Sequence, residues 1–153
     1  MHQGSFKPKH TMELSEFLTY RMARVQAKLN AMGNRLVQER CGLTLAQWRI
    51  LLLVSMNEGS TSSDLTRSSA MDKGLFSRKV KSMVDSGLVS SKQDEDDSRV
   101  YRLSLTDAGK LIMQDLLPYM QGKQVELINR LTEDELKHMR SALEKIERAI
   151  EEE

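Results

Sequence analysis

The stretch from Asp97 to Gly109 reads DSRVYRLSLTDAG, and it combines a strand pattern with a helix start. Polar and apolar residues alternate in its first part, which is typical of a β-strand and places Leu103 and Leu105 on one face. Thr106 comes next and is suited to cap a helix, because its hydroxyl can accept a hydrogen bond from a free backbone N–H group. A charged tip, a strand and a capped helix are therefore predicted in direct succession.

A partner strand precedes this stretch. Residues 88–92 have a strand-like composition, and the polar segment 93–98 separates them from the alternating segment 100–105. The polar segment lacks the Asn-Gly pair of a two-residue turn, so we expect a hairpin with a longer loop.

Two short helices are expected before the hairpin. Thr61, with Asp64 three positions later, is typical of a helix start, and this helix should end near Arg67. A turn and a second helix over 72–86 follow, and Gly87 is suited to end that helix. Helix, turn, helix and hairpin together predict a winged helix-turn-helix domain.

Longer amphipathic helices flank this domain. Apolar residues recur every three or four positions from Met12 to a stop at Gly42, which predicts one long helix. After Thr106 another helix should run to about Arg130, and Pro118 inside it should bend its axis.

Threonine also marks two other helix starts. Thr44 is predicted to cap a helix that stops at 57–59, and Thr132 with Glu135 forms a capping-box pattern before the last helix. The predicted fold class is therefore mainly α with a small β-wing.

The chain divides accordingly into three parts. The winged helix-turn-helix domain is expected at 44–106, and the helical dimerisation region at 12–43 and 107–153. Residues 1–11 are polar and are expected to form a flexible arm.

Apolar stripes on the terminal helices predict a homodimer. A small core cannot cover every stripe, so a second copy of the chain should bury the remainder. The alternative is that all stripes fold back within one monomer. The predicted interface consists of Leu14, Leu18, Leu136, Met139, Leu143, Ile146 and Ile150.

Composition narrows the classes of function. With 39% hydrophobic and 29% charged residues, the 153-residue chain is typical of a globular protein. The single cysteine, Cys41, and the lack of an apolar targeting segment predict a cytoplasmic protein. His2, His10 and His138 lack metal-ligand spacing and no catalytic motif is visible, so we expect no metal, no cofactor and no enzyme.

The net charge of +1 conceals an uneven distribution. Residues 67–92 hold six basic and two acidic residues, whereas residues 131–153 hold four basic and eight acidic ones. A basic surface is the electrostatic feature that nucleic-acid-binding proteins share. A solvated helix surface would have the same composition, so charge alone leaves both interpretations open.

The second helix of the helix-turn-helix has a polar face that suits DNA. Lys73, Ser77 and Lys81 lie four residues apart and share this face, with Gly74 and Arg78 beside them. Arginine can pair with a guanine edge or a phosphate, whereas a lysine ammonium is better suited to phosphate. The first helix contributes three further candidates for phosphate contact, the hydroxyls of Thr61, Ser62 and Ser63.

The hairpin and the helix after it resemble the MarR family of bacterial transcription regulators. The family signature is Asp-x-Arg, then Leu-x-Leu-Thr beginning four residues after the arginine, then glycine three residues after the threonine. Asp97, Arg99, Thr106 and Gly109 fit this spacing.

The resemblance extends upstream. Residues 45–51 resemble the second helix of the family, and residues 76–80 resemble its recognition helix. Ser77 stands where many members have threonine, which is a departure that retains the hydroxyl. The matching order and spacing cover roughly residues 12–152.

The resemblance implies roles for the wing and the terminal helices. Arg99 is expected to enter the minor groove, where negative potential attracts arginine, and Asp97 to orient it. A wing salt bridge without DNA contact is the alternative. The acidic tip at 94–97 would repel phosphate, so some of its carboxylates must point outward or be paired. The family dimerises through its terminal helices, as the apolar stripes require.

Members of this family often bind phenolic or aromatic small molecules between their dimer and DNA-binding regions. Met32, Trp48 and Met56 are candidates to line such a pocket, although the ten methionines are also suited to fill the core. Some members carry a reactive cysteine near the start of the first helix, whereas Cys41 lies near its end and is expected to be a packed thiol.

The sequence therefore predicts a homodimeric, sequence-specific double-stranded DNA-binding regulator, and more narrowly a ligand-responsive repressor. It would read the major groove with helix 72–86 and the minor groove with the wing at 93–99. The alternative is a winged-helix module that docks an acidic protein partner. A steep salt dependence of DNA affinity would distinguish the two.

Overall fold

The computed structural model describes residue 13, residues 17–69 and residues 71–152. Six α-helices and one antiparallel pair of strands lie within them, which confirms a mainly helical fold with a small wing. Their bounds are α1 Leu18–Cys41, α2 Leu45–Met56, α3 Ser62–Ser68, α4 Lys73–Asp85, β1 Val89–Gln93, β2 Tyr101–Leu105, α5 Asp107–Ile128 and α6 Glu133–Glu151. None of the helices in this part of the chain is long and apolar enough to span a membrane.

Local capping determines where most of these helices begin. At four helices a threonine hydroxyl accepts a hydrogen bond from the backbone N–H three residues later, as the sequence predicts. These threonines are Thr44, Thr61, Thr106 and Thr132. The carboxylate of Asp72 caps α4 in the same way, accepting from the N–H groups of Gly74 and Leu75.

The first helix differs from its prediction at one end. It stops at Cys41, where Gly42 adopts a φ of 74° and donates its N–H to the carbonyl of Gln38, as expected for a glycine cap. The prediction of one continuous helix from Met12 is wrong, because Phe17 has an extended backbone and α1 begins at Leu18; Met12 itself lies outside the described residues. The predicted arm at residues 1–11 and the interface residue Leu14 lie outside the described residues.

A single hydrophobic core joins the helix-turn-helix to its neighbours. Ile50 and Leu51 of α2, Phe76 of α4 and Leu103 of β2 are almost completely buried in it. Val37 of α1, together with Met113 and Leu116 of α5, belongs to the same cluster. The long helices α1 and α5 therefore support α4 through α2, which packs against all three. The domain limits at 44–106 stay a prediction.

The wing is a short hairpin held in register by its apolar face. Val89 pairs with Leu105 and Gln93 pairs with Tyr101, so β1 lies one residue later than predicted. Leu103 and Leu105 are both buried, which confirms the alternation predicted for β2.

The last helix packs differently from the rest. No residue of α6 is buried within the described chain. Met139, Leu143 and Ile150 are 45%, 45% and 69% exposed, and Leu136 and Ile146 are half-buried. An apolar stripe of this length is left uncovered by the single chain.

Candidate nucleic-acid interface

One surface groove is formed where α3, α4 and the wing meet. It is lined by Thr61, Ser62, Ser63, Thr66, Arg67, Lys73, Ser77, Arg99, Val100 and Tyr101. Six of these were predicted as DNA contacts, and they come from three separate elements of the chain. We call this concavity the α3–α4–wing groove. Its polar lining consists of hydroxyls and positive charges.

The orientation of α4 follows from the division of its two faces. Phe76, Val80 and Met83 are buried against the core. Lys73 and Lys81 are exposed on the other side, as the spacing predicts. The helix is thus held by its apolar face and presents its basic face to solvent.

Arg78 lies against the first turn of its own helix. A Cβ atom placed on Gly74 would lie 3.5 Å from a terminal guanidinium nitrogen of Arg78 and 3.1 Å from the capping carboxylate of Asp72. Gly74 therefore provides the space in which the guanidinium and the cap both fit. The polar face of α4 carries a planar donor group next to its N-terminus.

The acidic wing tip is organised around Asp94. One carboxylate oxygen accepts the N–H groups of Asp96 and Asp97, and the other forms an ion pair with Arg102. Arg102, followed by the two N–H groups, holds the pKa of Asp94 below its ordinary value. This side chain is only 10% exposed. At least one tip carboxylate is therefore paired and turned inward, as the predicted repulsion requires.

The same arginine fastens the wing to the body of the domain. Arg102 donates to the carbonyl of Gly59 at 2.9 Å, and Leu103 exchanges backbone hydrogen bonds with Gly59 and Ser60. The free edge of β2 is thus paired with the segment between α2 and α3. This contact positions the wing beside α3 and α4.

Asp97 acts on Arg99 through the backbone. Its carboxylate accepts the N–H of Arg99 at 2.9 Å, and its carbonyl accepts the N–H of Val100 at 2.9 Å. The Arg99 guanidinium makes no ion pair within the described part of the chain. The expected orienting role of Asp97 therefore applies to the turn that carries Arg99, and not to the guanidinium itself.

Sequence reasoning missed four residues that line the groove, namely Thr66, Arg67, Val100 and Tyr101. Only Arg67 carried a usable signal, since it belongs to the basic segment 67–92. Alternation places Tyr101 on the same face as the buried Leu103, yet Tyr101 is 48% exposed, so the strand pattern gave no signal for it.

The predicted ligand pocket is not assembled as one cluster. Trp48 is 4% exposed in the core, whereas Met56 is 74% exposed at the end of α2. Eight residues of helix separate them by about 12 Å along the axis. Met32 is half-buried on α1. A ligand role for these three stays a prediction.

Cys41 has an environment typical of a structural thiol. It is half-buried against the core, and its thiol donates to the carbonyl of Val37 at 3.4 Å. This environment agrees with the packed, non-reactive thiol that the sequence predicts at this position.

Comparison with known proteins points to one family. A family model described as MarR family matches residues 42–100, which include α2, the helix-turn-helix and most of the wing. The HTH-type transcriptional regulator TcaR of Staphylococcus aureus (strain Newman) is 27% identical over 146 residues, covering 93% of this chain and 94% of that protein.

Solved structures agree with this match. A MarR/EmrR family transcriptional regulator from Acinetobacter sp. ADP1 gives a TM-score of 0.84 at 18% identity, covering 93% of this chain and 100% of that one. A mutant MarR from E. coli, solved in complex with operator DNA, gives a TM-score of 0.72 at 24% identity, covering 89% and 99%.

These relatives are named as transcriptional regulators, and none of the names describes an enzyme. The names therefore do not favour the alternative of a module that docks an acidic protein partner. The signature around Arg99 and Gly109, the winged helix-turn-helix architecture and the sequence match all agree. By these similarities the chain resembles the MarR family of transcriptional regulators.

Proposed function

We propose that this regulator binds duplex DNA as a homodimer, with α4 in the major groove and Arg99 of the wing in the minor groove. The observation that carries the proposal is the α3–α4–wing groove, which brings Lys73 and Arg99 to one surface from different elements. The operator complex of the E. coli relative supports the same assignment.

The dimensions of α4 suit this role. Its 13 residues extend about 20 Å, and the major groove of B-DNA is about 12 Å wide and accepts one α-helix. Because one face of α4 is buried in the core, only the face with Ser77, Arg78 and Lys81 is available to bases and phosphates. Arg78 is the residue suited to base recognition, and the lysines are suited to the backbone.

The dimer is proposed from the uncovered apolar surface. Met139, Leu143 and Ile150 lie on one stripe of α6, and Leu18, which is 58% exposed, lies at the start of α1. A twofold partner covers both surfaces at once and places two α4 helices roughly 34–36 Å apart, which is one turn of DNA.

Repression and its control form the finer part of the proposal. A bound dimer excludes other proteins from its operator. A small aromatic or phenolic effector that prefers a different separation of the two α4 helices would release the DNA. The effector can produce this response only if its affinity differs between the DNA-bound and the DNA-free arrangement of the two α4 helices.

Selection from a genomic DNA pool tests the core of the proposal. The purified full chain should enrich fragments with a near-palindromic motif whose half-sites lie one turn apart. A variant with both Arg78→Ala and Arg99→Ala is the matched control. If the native protein enriches no fragment above this control, the proposed function is wrong.

A further inference from the structure

The carboxylate of Asp64 is held between two residues of the α3–α4–wing groove. One oxygen accepts the hydroxyl hydrogen of Thr61 at 2.7 Å, and the other forms an ion pair with the guanidinium of Arg67. Thr61 and Arg67 both line the groove, together with Lys73 and Arg99. The carboxylate of Asp64 therefore occupies two hydrogen-bond donors at the edge of a positively charged surface.

The contacts of Asp64 match those that a DNA phosphate would make. A carboxylate and a phosphate oxygen both accept hydrogen bonds from hydroxyls and from arginine, and both carry negative charge. The Thr61 hydrogen bond, followed by the one from Arg67, keeps the pKa of Asp64 below its ordinary value, so this anion is present at neutral pH.

The pair is weak enough to exchange. The side chains of Arg67 and Asp64 are 75% and 51% exposed, and they lie three residues apart on one helix. Exposed pairs of this kind contribute little to folding, and salt screens them. A phosphate that enters the groove can therefore displace the carboxylate.

We infer that Asp64 is an internal competitor of the DNA backbone, which holds Thr61 and Arg67 in reserve and lowers the affinity of the protein for duplexes of any sequence. Arg67 is then a phosphate contact that forms only when DNA displaces Asp64. This inference rests on the proposed function. It assigns to the groove a residue that weakens binding, alongside those that strengthen it.

Helix capping accounts for only one of the two contacts of the Asp64 carboxylate. The threonine hydroxyls that cap α2 and α6 also donate to the side chain three residues later, as Thr61 does to Asp64, so the ion pair with Arg67 is the contact that capping does not require. The cap of α3 itself is the hydrogen bond from the backbone N–H of Asp64 to the Thr61 hydroxyl, at 3.1 Å. Replacing the carboxylate with an amide therefore leaves the cap in place. Asp64→Asn also keeps the size of the side chain.

Binding of a labelled random-sequence duplex at several salt concentrations tests the inference. Asp64→Asn should bind about three- to tenfold more tightly at 0.1 M salt, with a log–log salt slope steeper by about one phosphate contact. The gain should fall to less than half when Arg67→Ala is already present. Glu144→Gln on α6 removes the same charge far from the groove, about 100° around the helix from Leu143, and should bind as the native protein does.

Three outcomes would overturn the inference. Unchanged or weaker binding by Asp64→Asn would show that the carboxylate does not compete. An equal gain with and without Arg67 would reduce the effect to the loss of one negative charge. Failure of the native chain and all variants to bind any duplex would remove the proposed function, and this inference with it.

Discussion

A methyl group on Gly109 would lie 2.2 Å from the carbonyl oxygen of Leu88. The same carbonyl accepts the N–H of Thr106 at 3.2 Å, so the first turn of α5 rests directly on the start of the wing. Because the clash is with backbone, no side-chain rotation relieves it. The glycine three residues after the threonine in the family signature therefore has a steric reason in this chain.

Replacing Gly109 with alanine should destabilise the protein. Separating α5 from the wing to admit a methyl group costs about 1–3 kcal/mol, as overpacking does elsewhere. The measurement is the midpoint of urea unfolding. Gly122→Ala in the same helix is the control, since nothing lies within 4 Å of its added Cβ, and it should stabilise by about 0.5–1 kcal/mol. Equal midpoints for the two variants would contradict the close contact.

Much of this fold could be predicted because its signals are local. Thr106 and Gly109, like Thr61 and Asp64, lie three residues apart, and caps form between near neighbours whatever the rest of the chain does. The contact of Arg102 with the carbonyl of Gly59 spans 43 residues and has no sequence pattern. For that reason the wing could be predicted, but its attachment to the α2–α3 segment could not.

In the candidate site too, features with a local sequence signal could be predicted and contacts between distant residues could not. Periodicity placed Lys73, Ser77 and Lys81 on one face of a helix, and the structure leaves the two lysines and Ser77 exposed there. Periodicity did not identify Arg67 as part of the groove, since its neighbours in space are on α4 and the wing. It also placed the start of α1 at Met12, because apolar spacing continues past the point where Phe17 becomes extended.

Arg78 and Arg99 should affect DNA binding in different ways. Arg78→Ala should lower affinity for the selected operator by about 1–3 kcal/mol and relax its sequence preference, because a base contact is lost. Arg99→Ala should lower affinity for sites with a narrow minor groove. Fluorescence anisotropy with operator and scrambled duplexes measures both.

Arg148→Ala on α6 is the control for these two variants, since its guanidinium contacts only the carbonyl of its own helix at Glu144 within the described chain. It should bind as the native protein does. Native-like binding by both the Arg78 and Arg99 variants, with intact folding, would contradict the assignment of the interface.

Low pH should remove the stabilisation that the ion pair between Arg40 of α1 and Asp115 of α5 gives to the folded protein. Arg40 donates two hydrogen bonds to Asp115, at 2.8 and 2.6 Å, and holds the pKa of Asp115 below its ordinary value. A lowered pKa in the folded state means that the stabilisation is present at neutral pH and is lost as pH falls below about 4. The difference in Tm between native protein and Asp115→Asn should therefore shrink towards acid pH. A difference that stays constant from pH 7 to pH 3 would show that the ion pair contributes nothing.

The uncovered stripe of α6 makes the dimer testable by a single charge. Leu143 lies at its centre and is 45% exposed in the single chain, so Leu143→Glu places a carboxylate in the proposed interface without disturbing the core. The dissociation constant of the dimer should rise at least about tenfold, because burying an unpaired carboxylate is costly. Ser141→Glu adds the same charge on the opposite side of the helix, about 160° away at 100° per residue, and should leave the dimer intact. Sedimentation velocity across a range of protein concentrations distinguishes the variants. If Leu143→Glu remains as dimeric as Ser141→Glu, the stripe of α6 does not hold the two copies together, and the spacing of the two α4 helices must be set by another surface.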